Sequence, residues 1–169
     1  SAWWTFTTVI DGTLDYLRLD EATAKADDSL LSVPTSSVFS QVENYTLQQN
    51  VVSYCFHSVE GYSKFGSYTG NGSTDGTFVF TNFAVKWLMV KRTNSAVEWT
   101  MLDSARSPFN VRDKYMYANT TMAEDTHSTV QVDFLSNGFK SRGTFTNVSG
   151  GIYIYMAFAE NPFKYANAR

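Results

Sequence analysis

The residues 66–76, GSYTGNGSTDG, are the first place where residue types and spacing could do chemistry. Glycine-rich loops bind phosphate when a Lys follows the glycines and a helix N-terminus presents its N–H groups. Here no Lys follows the last glycine, and the next residues, TFVFTNF, alternate as a strand does. The glycines therefore predict tight turns with positive φ and no nucleotide site.

A nucleophile is the second possibility, because Cys55 and His57 are two residues apart in VVSYCFHSV. On a strand, side chains at i and i+2 lie on the same face, but this run is apolar and offers no activating group. As the one cysteine of the chain, Cys55 is predicted to be a small buried hydrophobe. No G-x-S-x-G elbow is present for a serine hydrolase.

Paired carboxylates and metal ligands are the remaining options. A glycosidase needs two opposed carboxylates, and the sequence does not pair any of its candidates: Glu60, Glu98, Asp103 and Glu160. The two histidines have no ligand spacing, and the acidic runs ADDS and EDTHS fit solvated loops better than a calcium site. The sequence therefore predicts no catalytic residues, no metal, no cofactor and no enzyme activity.

Charge and hydropathy exclude two classes of partner. The formal net charge is −3, and no basic stripe is present that could neutralise nucleic-acid phosphates. No apolar run approaches the roughly 18 residues that a membrane-spanning helix needs. We expect neither a nucleic-acid partner nor membrane insertion.

Aromatic residues are abundant, with 13 Phe, 10 Tyr and 4 Trp. Rings near strand ends and turns can stack on sugars, although packing in a core or an interface is the commoner use. Trp3, Trp4, Tyr62 and Tyr68 have such positions, and Asn71 lies in the turn region as one of four Asn-x-Ser/Thr triplets. These five residues are the predicted ligand contacts.

Short alternating runs bounded by Gly, Asn, Asp and Ser predict an all-β chain. One helical turn or two is expected at Asp20–Asp28, where alanines favour helix but leave little apolar face. The predicted fold is an antiparallel β-sandwich of lectin or jelly-roll type. The predicted strands are Trp3–Val9, Tyr16–Leu19, Val51–Val59, Thr77–Phe83, Val85–Lys91, Val97–Leu102, Val130–Phe134 and Ile152–Ala159.

Internal similarity predicts two diverged repeats. WWTF resembles EWTM, DYLRLDEATAKADDS resembles KYMYANTTMAEDTHS, SSVF resembles SNGF, and VVSYCFHSVE resembles IYIYMAFAEN, always in the same order. We expect residues 1–65 to form a first repeat that lacks its opening strands, 66–76 a Gly/Ser-rich turn region, and 77–169 a complete second repeat. An upstream region or a neighbouring chain would then supply the missing strands.

The runs GYSKFGSYTGNGSTDGTFVFTNF, YANTTMAE, DFLSNGFK and SGGIYIYMAFAENPFKYANAR resemble a repeated C-terminal module of bacteriophage tail-fibre-like and virion-associated proteins, notably those of marine phages. The resemblance is tightest from Val51 to the end of the chain. It implies a β-rich, oligomeric virion component with no catalytic residues, assembled in the host cytoplasm and displayed on the extracellular particle. By analogy with phage fibres, we expect a homotrimer that contacts other virion proteins.

The leading functional hypothesis is therefore a non-enzymatic virion structural protein, a tail-fibre or fibre-like module whose loops attach to host surface glycans. A capsid-decoration or fibre-shaft assembly protein is the alternative, and a polysaccharide-degrading enzyme is a remote one. Fold resemblance does not separate them, because function depends on the site.

Overall fold

The computed structural model describes residues 2–40 and 51–162, and within these ranges it contains twelve strands and no helix. Every strand pairing is antiparallel, which confirms the predicted fold class. The strands are β1 (Trp4–Thr7), β2 (Asp15–Arg18), β3 (Ala26–Asp27), β4 (Ser63–Thr69), β5 (Phe78–Phe80), β6 (Val85–Arg92), β7 (Thr100–Asp103), β8 (Lys114–Tyr117), β9 (Asp125–Thr126), β10 (Val132–Leu135), β11 (Gly138–Ser141) and β12 (Ile152–Ala159).

The strands form three sheets in layers. The central sheet has the order β4-β12-β6-β7-β8-β9, the small sheet has the order β10-β11-β5, and the first meander has the order β1-β2-β3. The main core lies between the central and small sheets, where Leu88 and Tyr155 pack with Val132 and Phe139. A second core lies on the opposite face of the central sheet.

The second core joins the first meander to the central sheet. Leu17 of β2 packs with Trp99 and Ile154, and all three side chains are buried. Strand β12 serves both cores because its side chains alternate: Tyr153 and Tyr155 belong to the main core, whereas Ile154 belongs to the second. The apolar residues on both faces of GIYIYMAFAE thus reflect a strand buried on both sides.

We call the strands β7-β8-β9 the second meander. The strands within the second meander pair with each other in the same register as the strands within the first. The pair Thr5–Leu17 corresponds to Met101–Met116, and the pair Tyr16–Ala26 corresponds to Tyr115–Asp125. This is the alignment that the similarity of DYLRLDEATAKADDS to KYMYANTTMAEDTHS predicts, whereas the similarity of WWTF to EWTM, which places Thr5 against Thr100, is shifted by one residue from the observed register. Outside the meanders the aligned runs differ, because residues 152–159 form a core strand whereas residues 51–58 form none. The duplication of the whole unit stays a prediction.

Two predicted elements are wrong. Residues 20–28 contain a turn, an extended segment and the short strand β3 in place of a helix, because the run has no apolar face to pack and its Lys25 bonds to carboxylates. Residues 51–58 are irregular and exposed, and Val59 makes only an isolated bridge to Ser63. Cys55, predicted to be buried, is consequently exposed.

The glycine-rich stretch contains a strand that the turn interpretation missed. The predicted boundary at residues 65 and 66 falls inside β4, which pairs along its whole length with β12. Gly66 suits this strand because a Cβ there would lie 2.8 Å from the Tyr155 hydroxyl oxygen. Residues 66–69 therefore belong to the central sheet, and only the following residues form the turn. The sequence patterns also missed β3, β8, β9 and β11.

A candidate ligand-binding cleft

A cleft of about 450 Å³ lies between the turn that follows β2 and the turn that follows β8. It is widely open to solvent, and its lining mixes one large ring with polar groups. The lining residues are Trp3, Leu19, Asp20, Ala118, Asn119, Thr120 and Thr121.

Trp3 provides the ring of the cleft. Its backbone is fixed on both sides, because its carbonyl accepts the N–H of Leu19 at 2.8 Å and its N–H donates to Asp20 Oδ1 at 3.1 Å. Its side chain is 54% exposed, which is unusual for the largest apolar side chain of a protein. The structure therefore presents the indole at the cleft on a backbone that the first meander holds in place.

Asp20 lies beside Trp3 on the same wall. Burial raises the pKa of this carboxyl, but the hydrogen bond from Trp3 N–H and the contact with Arg18 outweigh burial and lower the pKa below its usual value. The Arg18 Nε lies 3.6 Å from Asp20 Oδ1. Asp20 is consequently an ionised hydrogen-bond acceptor at neutral pH and a poor proton donor.

The opposite wall comes from the second meander. Asn119 Oδ1 accepts the backbone N–H of Trp99 at 3.1 Å, and Asn119 Nδ2 donates to Glu98 Oε2. Thr120 Oγ1 accepts the N–H of Met122 at 3.3 Å. The segment before β7 thus orients the Asn119 amide, Met122 of the same loop orients the Thr120 hydroxyl, and the residues Thr120 and Thr121 are exposed.

The lining of this cleft is suited to a polar molecule that has an apolar face. An exposed indole offers stacking area at small entropic cost, while a carboxylate, an amide and hydroxyls form hydrogen bonds. Of the described residues that line the cleft, Asp20 alone carries a carboxylate, so the cleft does not itself provide the two opposed carboxylates of a glycosidase.

Two of the other predicted contacts lie outside the cleft and remain partly accessible. Trp4 is half-buried on β1, where its ring makes an edge contact with Tyr16 at 5.2 Å and the Arg18 guanidinium lies 5.1 Å from its centroid. Tyr62 is 37% exposed and makes an edge contact with Phe158 at 5.8 Å.

Tyr68 is the one predicted contact that the structure makes unsuitable. Its side chain is 8% exposed and its ring stacks on Tyr153 with centroids 4.9 Å apart. Its hydroxyl donates to the carbonyl of Thr146 at 2.8 Å. Tyr68 lies in β4, whose inward face belongs to the main core, so it has no accessible face for a sugar.

Asn71 has a structural partner that explains the turn around it. The buried Asn147 donates from Nδ2 to Asn71 Oδ1 at 2.6 Å and to the carbonyl of Ser73 at 2.7 Å, and Asn147 Oδ1 accepts the N–H of Asn71 at 3.0 Å. Gly76 is required nearby, since a Cβ would lie 2.0 Å from the carbonyl oxygen of Ser141. Asn71 is exposed but helps to hold its own loop.

A group of three carboxylates, Asp11, Asp15 and Asp27, is brought together in the first meander. Lys25 Nζ lies 2.7 Å, 2.5 Å and 2.9 Å from them, so an internal ammonium already neutralises part of their charge. Burial raises the pKa of Asp15, and its hydrogen bond with Lys25 opposes this effect. The arrangement is a charge network, in which the hydrogen bonds that Lys25 donates to Asp11 and Asp15 raise the pKa of Lys25.

Sequence reasoning found Trp3 but missed its neighbours in the cleft. The sequence pattern predicts a helix at Asp20, and it gives Asn119 no role beyond being one of the four Asn-x-Ser/Thr triplets. The internal alignment could have found them, because it places Asp20 opposite Asn119. Equivalent turns of two similar meanders can meet, and here the turns that contain these two residues line one cleft.

The whole described fold corresponds to a recognised domain family. The chain belongs to the family described as "Domain of unknown function (DUF7483)", whose model matches residues 1–162. No curated protein and no solved structure matches the chain. Among the described residues, no helix is long and apolar enough to cross a membrane.

Proposed function

We propose that this protein is a non-enzymatic carbohydrate-binding module. The observation that carries the proposal is the 54% exposed indole of Trp3 at a cleft that also contains the Asp20 carboxylate, the Asn119 amide and two threonine hydroxyls. A sugar ring has an apolar face for the indole and hydroxyls for the polar groups, so it satisfies both parts of the lining.

The protonation state of Asp20 supports glycan binding over glycan hydrolysis. A glycosidase acid must hold a proton near neutral pH, which requires a raised pKa. Because hydrogen bonding outweighs burial and lowers the pKa of Asp20, this carboxylate is suited to accept hydrogen bonds from sugar hydroxyls.

Resemblance to phage tail-fibre-like modules suggests where such binding would be used. In this proposal the protein is part of a virion, in a fibre or fibre-like appendage, and the cleft attaches to glycans of the host cell surface. Immunogold labelling of intact virions tests the location: label at fibre tips supports attachment, whereas label along a shaft or over the head favours the assembly alternative. Absence of label on intact particles would contradict a virion role.

Binding is tested by screening the purified protein on a glycan array and measuring the affinity of each hit by calorimetry. Trp3→Ala should weaken binding by about 10-fold or more, because ring contacts in binding sites contribute on the order of 1–3 kcal/mol. Phe109→Ala is the matched control, since Phe109 is 81% exposed, lies on the β7–β8 loop and does not line the cleft.

The two variants distinguish binding at the cleft from unspecific binding to exposed aromatic residues. If Phe109→Ala weakens binding as much as Trp3→Ala does, the interaction is unspecific and the cleft is not the site. If the protein binds no glycan, or releases reducing ends from host polysaccharide, the proposal of a non-enzymatic glycan-binding module is wrong.

A further inference from the structure

Strand β5 is an edge strand. In the described part of the chain, the small sheet has the order β10-β11-β5, and β5 pairs with β11 on one side only. An edge strand can add a strand from another molecule when its backbone groups are accessible.

Hydrogen bonds at both ends of β5 establish which backbone groups face outward. Thr81 donates to the carbonyl of Asn137 at 3.0 Å, and Ser141 donates to the carbonyl of Thr77 at 3.1 Å. Because hydrogen-bonded pairs alternate along an antiparallel ladder, Val79 also bonds to β11, whereas Phe78 and Phe80 direct their N–H and C=O groups to the open edge.

The side chains of the same two residues are also uncovered. Phe78 is 44% exposed and Phe80 is 57% exposed, while Val79 between them is buried in the main core. One short segment therefore combines two outward donor–acceptor pairs with two accessible rings, a combination that natural edge strands usually avoid.

We propose that a second copy of this chain pairs with this edge, β5 against β5, in antiparallel orientation about a two-fold axis at Val79. Phe78 of each copy would then form a hydrogen-bonded pair with Phe80 of the other copy, giving four backbone hydrogen bonds. Each of these pairs also places one exposed ring directly across from another, about 5.5 Å apart at Cα. The two small sheets would join into one sheet of six strands.

Self-complementarity is the reason to choose a second copy as the occupant. The outward N–H and C=O groups of Phe78 face those of Phe80 in a copy related by the two-fold axis, and the reverse is also true. Such isologous contacts close at two subunits. The two exposed rings would contribute roughly 200 Å² per copy, well below a standard interface of about 800 Å² per partner. We therefore expect a weak, concentration-dependent dimer, distinct from the threefold assembly that the sequence resemblance implies.

Sedimentation equilibrium over a wide concentration range tests this proposal with a variant designed for the edge. Phe80→Pro removes an N–H that points outward and leaves every β5–β11 hydrogen bond intact. Two intermolecular hydrogen bonds per dimer would be lost, so the dissociation constant should rise roughly 10-fold or more. In the wild type, amide signals of Phe78 and Phe80 should shift with protein concentration.

Phe109→Lys is the control, because it removes a more exposed ring elsewhere and should leave association unchanged. A circular-dichroism melt of Phe80→Pro verifies that the variant is folded; for a variant that fails to fold, Phe80→Lys replaces it and should also weaken association. A wild type that remains monomeric up to about 1 mM, or an oligomer that the folded edge variant leaves unchanged, would overturn the proposal.

Discussion

Trp3 and Trp99 make the same pair of backbone hydrogen bonds in equivalent positions of the two meanders. The carbonyl of Trp3 accepts from Leu19 and that of Trp99 from Ala118, at 2.8 Å and 2.9 Å, and each N–H donates to a side chain, Asp20 or Asn119, at 3.1 Å. Yet Trp3 is 54% exposed, whereas Trp99 is 3% exposed. The same local structure thus holds one indole at the cleft and the other in a core.

Replacement of these two tryptophans should therefore affect different properties. Trp99→Ala should lower the free energy of unfolding by about 3–5 kcal/mol, because it removes a buried ring packed on Leu17 and the bond from Nε1 to the Arg18 carbonyl. Trp3→Ala should change it by about 0.5 kcal/mol or less. Chemical denaturation measures both, and similar losses would contradict the difference in burial.

Lys25 should be essential for the stability of the first meander. Lys25→Met would leave the fully buried Asp15 without its cation and should cost about 3 kcal/mol or more. Lys114→Met is the control, because the Lys114–Glu124 pair is exposed and 3.7 Å apart and should contribute less than about 1 kcal/mol. Equal effects in urea denaturation would show that burial of Asp15 is not decisive.

Lys91 should make stability depend on pH. Its side chain is 1% exposed, its Nζ donates to the carbonyls of Arg92 and Ser95 at 2.9 Å and 3.3 Å, and burial lowers its pKa to about 8. Between pH 8 and 10 the unfolded chain then holds more protons at this site than the folded chain, so the free energy of unfolding should rise with pH, by about 1–3 kcal/mol.

Lys91→Met isolates this effect, since it should remove the rise between pH 8 and 10 without leaving a charge to bury. Above about pH 10 the trend should reverse in both proteins, because burial raises the pKa of Tyr68, Tyr153 and Tyr155 and these groups lose protons more readily when unfolded. Wild-type stability that is flat or falls from pH 8 to 10 would contradict the lowered pKa.

Asn147 should be required for the turn at residues 70–77. Its fully buried amide makes the hydrogen bonds to Asn71 and Ser73 described above, so Asn147→Leu would leave backbone groups unpaired and should cost about 2–4 kcal/mol. Asn94→Leu is a suitable control because Asn94 also bonds to backbone, but at exposed positions. Hydrogen exchange at residues 70–77 should accelerate only in the first variant.

Alternation of side chains predicted β12 well, but it missed β8 and β11, which also lie between two strands, and it predicted a strand at Val51–Val59 where none forms. Ile152–Ala159 was predicted with its observed bounds because β12 lies between β4 and β6 and is buried on both faces. Val51–Val59 has the same kind of pattern, yet residues 51–58 pair with no strand in the described part of the chain. Local propensity does not determine which segments find a tertiary partner.

The candidate site was predictable only in part for a similar reason. An aromatic residue at the end of a predicted strand suggested Trp3, but Asp20, Asn119 and the two threonines join it only because the turns after β2 and β8 meet. Tyr68 is also an aromatic residue near a predicted turn, yet it is buried because it lies in β4. The glycines around it indicated turns and concealed this strand. Residue type suggests a ligand contact, and packing decides whether it is accessible.

The ion pairs of the two meanders have opposite polarity at equivalent positions. Asp15 on β2 pairs with Lys25, whereas Lys114 on β8 pairs with Glu124 before β9. If β2 paired with β9 during folding, the buried Asp15 would lose the Lys25 ammonium and would meet the Glu124 carboxylate in its place. A buried carboxylate without a cation is strongly destabilising, so β2 selects β3 over β9. The charge at this one position thus protects two similar stretches of one chain from exchanging strands as they fold.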